Sequence, residues 1–274
     1  MPYVKTRLGR WFYEERGEPA RTTAIVCLHG LLFDGGQWRE QVGPLSELGR
    51  TIVFDGPGHG KSEDPPIFTL DEHADALADA LVELGIEHAV LVGLSWGGML
   101  AMRFALRHKA QLLAMALLDT SAEREEPMLR LRYRAFSIFH EYVGMPYALY
   151  EKQIATKMFC RATRRNRPEL VERTGRTLLG FSRRGVARAA LAVVINRDSV
   201  LARLSEVHVP ALVLCGDQDR ATPLAKSRNL KRALGVQASL VVISGSGHMT
   251  ALERPAEVNA ELVPFVRNVL APRT

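Results

Sequence analysis

The chain predicts an α/β fold with a mostly parallel sheet covered by helices on both faces. Short apolar runs, many of them β-branched, alternate with helical patterns from residue 23 onward. Strands joined through helices in this way form parallel sheets buried on both sides. One long stretch, residues 121–205, breaks the alternation and reads as helical with no convincing strand.

The elements follow in order. Tyr3 to Tyr13 alternates across Leu8-Gly9-Arg10 and predicts an antiparallel edge hairpin. Thr23–Leu28 predicts a strand, Gln37–Leu48 a helix and Thr51–Phe54 a strand. Thr69-Leu70-Asp71-Glu72 is a capping-box pattern that opens a helix. Its apolar stripe, Leu70, Ala74, Leu77, Leu81 and Leu84, has the spacing of one buried face. His88–Leu94 and Leu112–Leu118 are strands, as are Ala211–Cys215 and Ser239–Ile243. The last helix runs from Pro255 to about Leu270, with proline in the first turn, where its missing N–H costs nothing. Breaks are expected at Gly144-Met145-Pro146, Asn166-Arg167-Pro168 and Arg183-Arg184-Gly185.

The insertion starts where the strand ending Leu118-Asp119 stops, so it should lie over the carboxyl edge of the sheet, where open α/β sheets bind ligands. The expected organisation is a core from 1–120 and 206–274 with a cap at 121–205.

Composition narrows the function. With 274 residues and 47% hydrophobic content, the chain reads as one large domain with an insertion, or two small ones. No apolar run is long enough to span a bilayer, and Met1 to Arg7 contains no apolar leader region, so a cytoplasmic protein without a membrane partner is expected. Cys27, Cys160 and Cys215 form no disulfide framework and read as small buried residues. The net charge is +6, but residues 121–200 hold 16 Lys and Arg against 8 Asp and Glu. No nucleic-acid motif accompanies that charge, so it reads as a solvated face.

The chemistry centres on Gly93-Leu94-Ser95-Trp96-Gly97-Gly98, a Gly-x-Ser-x-Gly between a strand and a helix. Such an elbow holds a serine hydroxyl out as a nucleophile. A serine is weak at neutral pH and needs a base, which in turn needs an orienting group. The late strands supply both. Gly216-Asp217-Gln218-Asp219 follows one strand, and Ser244-Gly245-Ser246-Gly247-His248 follows the next. His248 is the expected base. Asp219, further out on its loop than Asp217, is the expected acid, and Asp217 is expected to bond its own loop backbone. The oxyanion donors are expected to be the amides of Leu31, after His29-Gly30, and of Trp96, after the serine. His29 is expected to hold its loop by hydrogen bonds. His73, His88, His108, His140 and His208 have no motif around them. No Cys/His cluster has metal-ligand spacing, so neither metal nor organic cofactor is expected.

Together His29-Gly30, Asp55-Gly56-Pro57-Gly58-His59-Gly60-Lys61-Ser62, the Ser95 elbow, Gly216 through Asp219 to Pro223, and Gly247-His248 resemble the α/β-hydrolase superfamily across nearly the whole chain. The resemblance implies an eight-stranded, mostly parallel sheet with a helical cap after the sixth strand. It implies a structural role for the His59 loop. Within the superfamily the chain looks similar to small esterases, enol-lactonases and cofactor-free haloperoxidases or perhydrolases, and Leu31-Leu32-Phe33-Asp34-Gly35-Gly36-Gln37-Trp38 with Gly-Leu-Ser-x-Gly-Gly looks similar to 3-oxoadipate enol-lactonases.

The expected reaction is hydrolysis of a small carboxylic ester or lactone through an acyl-enzyme. Leu32, Phe33, Phe136, Phe139, Tyr142 and the Trp96 ring are candidates to line the pocket. Three rivals remain. One is carbon–carbon hydrolysis of a vinylogous diketone, with Arg188 or Arg197 gripping a carboxylate. The others are perhydrolysis and a ligand sensor that keeps the triad. No motif sets an oligomeric state.

Overall fold

Residues 2–271 are described in a computed structural model. Its eight strands are β1 (Tyr3–Thr6), β2 (Gly9–Arg16), β3 (Thr23–Leu28), β4 (Arg50–Phe54), β5 (His88–Leu94), β6 (Leu112–Leu118), β7 (Ala211–Gly216) and β8 (Ala238–Ile243). They form one sheet in the order β1-β2-β4-β3-β5-β6-β7-β8. The β1–β2 hairpin joins β4 antiparallel, and every later pairing is parallel. The carboxyl ends of β3 to β8 therefore share one edge.

Alternation along each strand feeds two apolar layers. Ala24, Val26, Leu28, Ala89 and Leu91 pack into one, and Ile25, Cys27, Val90, Val92 and Leu94 into the other. The helix α1 (Arg39–Ser46) and the final helix Pro255–Leu270 cover the second layer through Leu45, Val258, Leu262 and Val266. α2 (Leu70–Glu83) and α3 (Trp96–Arg107) cover the first. The capping box forms as its pattern demands: Thr69 Oγ1 accepts from the Glu72 amide, and the Glu72 carboxylate accepts from the Thr69 amide. The expected Gln37–Leu48 helix divides into a 3₁₀ turn over Gly35–Trp38 and α1.

Between β6 and β7 the chain is helical and forms the cap. It opens with α4 (Pro127–Tyr142) and includes helices over Arg161–Asn166, Pro168–Leu179 and Arg183–Ala190. The third expected break lies earlier than Arg183-Arg184-Gly185. Ser182 caps the helix that begins at Arg183, its hydroxyl accepting from the Gly185 amide. Gly185 lies inside that helix because its backbone meets the core there: a Cβ would sit 2.6 Å from Gly58 Cα. No described helix is long and apolar enough to cross a membrane.

Candidate active site

Leu32, Ser95 and Asp119 are the three described non-glycine residues with positive φ, at 74°, 52° and 46°. Each lies on the loop that leaves a central strand: β3, β5 or β6. Left-handed backbone costs a non-glycine residue about 1–3 kcal/mol and persists where surroundings enforce it.

At Ser95 the enforcement is visible. Its amide donates to Leu118 O at 2.8 Å, and its carbonyl accepts from Thr120 Oγ1 at 2.7 Å. The turn is tight enough that a Cβ on Gly97 would lie 2.0 Å from Leu28 O, and one on Gly93 2.3 Å from Gly97. Only glycine fits on either side.

The amides around Ser95 and Leu31 divide cleanly. Gly30 N donates to Gln37 Oε1 (3.0 Å), Leu32 N to His59 Nε2 (3.2 Å), Phe33 N to Gly30 O (3.1 Å) and Gly97 N to His29 O (3.1 Å). The amides of Leu31 and Trp96 donate to no described residue. His29 holds two loops together: its Nδ1–H donates to Gly30 O at 2.8 Å, and Nε2 accepts from Gly56 N at 2.7 Å.

Asp219 and His248 meet in the interior. His248 Nδ1 donates to Asp219 Oδ2 at 2.9 Å, and no described residue bonds its Nε2. The other Asp219 oxygen accepts from the amides of Ala221 (2.8 Å) and Thr222 (2.9 Å), and Thr222 Oγ1 donates to Oδ2 at 2.8 Å. Burial pushes the Asp219 carboxyl up. The imidazole beside it and the Thr222 donors outweigh that and hold it below its usual value. Burial likewise disfavours a charged His248, yet Asp219 outweighs it and raises the ring above its ordinary value.

Asp217 does something other than bond its own loop. Its carboxylate accepts from the amides of Gly245 (2.9 Å) and Ser246 (3.3 Å), tying the acid loop to the base loop.

Two further carboxylates were not singled out in the sequence. Asp119, fully buried, accepts from Gly216 N (3.0 Å), Thr250 N (3.0 Å) and Thr250 Oγ1 (2.6 Å). With Thr120 on Ser95, it joins the ends of β5, β6, β7 and β8. Burial and then the neighbouring Asp219 push its carboxyl up. Its only signal in sequence is a polar residue closing the apolar run Leu112–Leu118. Glu253 accepts from Gly247 N (2.8 Å), Met249 N (3.3 Å) and Cys160 N (2.9 Å), and His248 N donates to Met158 O (2.9 Å). The base loop is thus bonded to the cap.

Asp119, Cys215 and Asp219 bring ligand-type atoms within 4.8 Å of one another. All four carboxylate oxygens already accept from N–H or O–H donors. Burial pushes the Cys215 thiol up to about 12. That donor set suits a hydrogen-bonded hub rather than a cation. All three cysteines are buried and free.

The expected pocket residues separate. Leu32, Phe33 and Phe136 belong to one apolar cluster. Phe139 and Tyr142 are 42% and 77% exposed, on the side of α4 away from buried Ser137 and His140, and do not join them. The Trp96 ring is 1% exposed and packs on His29, His59 and His73 in the opposite layer, so it is core and not pocket wall. Arg188 donates to Pro65 O, and Arg197, 4% exposed, donates to Glu125 (2.8 Å) and Met99 Sδ.

A strained serine and a buried Asp–His pair on one edge of a doubly wound sheet define a class, the α/β hydrolases. The chain belongs to the alpha/beta hydrolase family, whose sequence model matches residues 25–261. A thermophilic esterase from Thermogutta terrifontis is 29% identical, with a TM-score of 0.90 over 99% of this chain and 100% of that one. The enol-lactonase from Burkholderia xenovorans is 25% identical, with a TM-score of 0.89 over 97% of this chain and 99% of that one. The 2-hydroxy-6-oxo-6-phenylhexa-2,4-dienoate hydrolase of Comamonas testosteroni is 30% identical over 93% of this chain and 90% of its own.

Proposed function

We propose that this hydrolase cleaves a small carboxylic ester or lactone through an acyl-enzyme on Ser95. The observation that carries the reading is the His248–Asp219 pair at 2.9 Å with Nε2 unengaged, on the sheet edge that also carries the strained Ser95. Ser95 Oγ attacks the carbonyl carbon while His248 Nε2 takes its proton. The Leu31 and Trp96 amides receive the developing oxyanion. His248 then protonates the leaving alkoxide, and Asp219 stabilises the imidazolium between these steps. Water, deprotonated by His248, releases the acid. Leu32, Phe33 and Phe136 line the acyl side.

Esterase and enol-lactonase neighbours support this chemistry. The Comamonas relative keeps carbon–carbon hydrolysis as the competing reading, but Arg188 and Arg197 are both engaged elsewhere.

Ser95→Ala should abolish turnover of p-nitrophenyl esters and of lactones while the circular dichroism spectrum stays native. Full activity in that variant overturns the nucleophile. Faster cleavage of a ring-fission diketone than of any ester or lactone overturns the substrate class.

A further inference from the structure

α4 is inside out. Its buried positions include Ser137 and His140, and Ser137 Oγ donates to Ala187 O in the helix beneath. Its opposite side carries Met128, Leu131, Ile138, Phe139, Tyr142 and, just beyond the helix, Val143. These are six of the eleven large hydrophobic residues exposed among the described residues, with exposures from 42% to 77%. At about 100° per residue they form one stripe along the full length of α4. A contiguous exposed apolar stripe of this kind marks an interaction surface.

Charge says what covers it. Exposed Arg132 and Arg134 lie near the middle of the helix, Arg132 within the stripe between the directions of Phe139 and Val143, and Arg134 about 40° beyond Ile138 on its other edge. Between residues 127 and 143 the only acidic residue is half-buried Glu141. The surrounding segment, 121–200, has twice as many basic as acidic residues. A second copy docked about a two-fold axis through the stripe would bring four arginines together with too few carboxylates to answer them. An anionic lipid surface answers both features: its acyl region takes the apolar side chains, and its head groups take these guanidinium groups.

We infer that α4 is a peripheral docking face by which the cap seats on an anionic bilayer. The surface lies outside the elements that carry Ser95, Asp219 and His248, so the inference stands whether or not the ester reading holds. It also qualifies the expectation of a protein without a membrane partner. That expectation rested on the absence of a spanning segment, and a surface helix needs none.

The test is co-sedimentation with vesicles of equal parts phosphatidylglycerol and phosphatidylcholine, alongside vesicles of phosphatidylcholine alone. Two double variants serve, Leu131→Glu with Ile138→Glu and Arg132→Glu with Arg134→Glu. All four positions are exposed, and turnover of a water-soluble substrate should be unchanged. The wild-type protein should sediment with the anionic vesicles, release as salt rises, and stay in solution with phosphatidylcholine. Each double variant should bind at least about tenfold more weakly. Failure of the wild-type protein to sediment with anionic vesicles overturns the inference, as does undiminished binding by the Leu131/Ile138 variant. A wild-type dimer that falls to monomers in that variant overturns it too, by assigning the stripe to a second copy.

Discussion

His59 and His73, behind the Ser95 elbow, are as deeply buried as His248 on the β8 loop, at 1%, 3% and 3% exposed. The rings nonetheless titrate in opposite directions. Burial, with His29 next and for His73 also His59, lowers both His59 and His73 to about 3. Their neighbours are aromatic: His59 packs on Trp96 at 5.1 Å between centroids, and His73 on Trp11 at 5.2 Å. His248 has Asp219, and that one carboxylate reverses the effect of burial. A buried imidazole is by itself only a polar packing unit. What makes it a base that can carry a proton near neutral pH is a fixed anion on one nitrogen and an open lone pair on the other.

The sharpest way to break the comparison is to remove the anion. Asp219→Asn should lower kcat by about 10⁴-fold. In the proposed mechanism the neutral ring is the base, so activity should fall as pH drops through the His248 pKa, which lies above the ordinary histidine value. Without Asp219 the ring should resemble His59, and the acid limb of the kcat/KM profile should shift to lower pH. An unmoved limb would mean that another group sets it.

The converse concerns stability. His73 is neutral when folded down to about pH 3, while in the unfolded chain it takes a proton below about 6.5. Folding is therefore undiminished above that value and weakens as pH falls. Between pH 7 and pH 5 the wild-type protein should lose roughly 2 kcal/mol more than His73→Phe, measured by urea unfolding at each pH. Equal losses would refute the assignment of a neutral buried ring.

A further variant sharpens the picture of how His248 is held. Glu253→Gln keeps the shape but puts an amide where a carboxylate accepts three backbone N–H groups. Stability should fall by about 2 kcal/mol. Turnover should fall roughly tenfold with KM little changed, through misplacement of the ring. A KM effect without a kcat effect would mean that Glu253 supports binding instead.

Much of this was legible in the chain. Apolar runs mark β3 to β7 because strands buried on both faces tolerate little else, and the Thr69 box marks the start of α2. The elbow and the Gly216 and Gly247 loops could be read because tight strand-to-helix turns constrain local sequence. Asp119 could not, since its partners Gly216 and Thr250 are 97 and 131 residues away, nor could the tie from Glu253 to Cys160, 93 residues apart. Asp217 was misread for the same reason: local turn chemistry favoured its own loop, but its partners lie 28 and 29 residues on. α4 failed differently. Phe136, Phe139 and Tyr142 were candidates for the pocket as aromatic residues of the cap, and two of the three lie on its outer side. Periodicity fixes which side chains share a face but not what that face meets.

The bond from His248 N to Met158 O has a consequence for transplantation. Caps are natural units to exchange between relatives when a new specificity is wanted. Here the exchanged segment would carry part of the support for the base loop, directly in the Met158 carbonyl and through Glu253 in the Cys160 amide. A chimaera that keeps residues 158–160 in place would retain its proton chemistry and report only on the grafted pocket. One that replaces them would mix a change of substrate with a change of pH optimum.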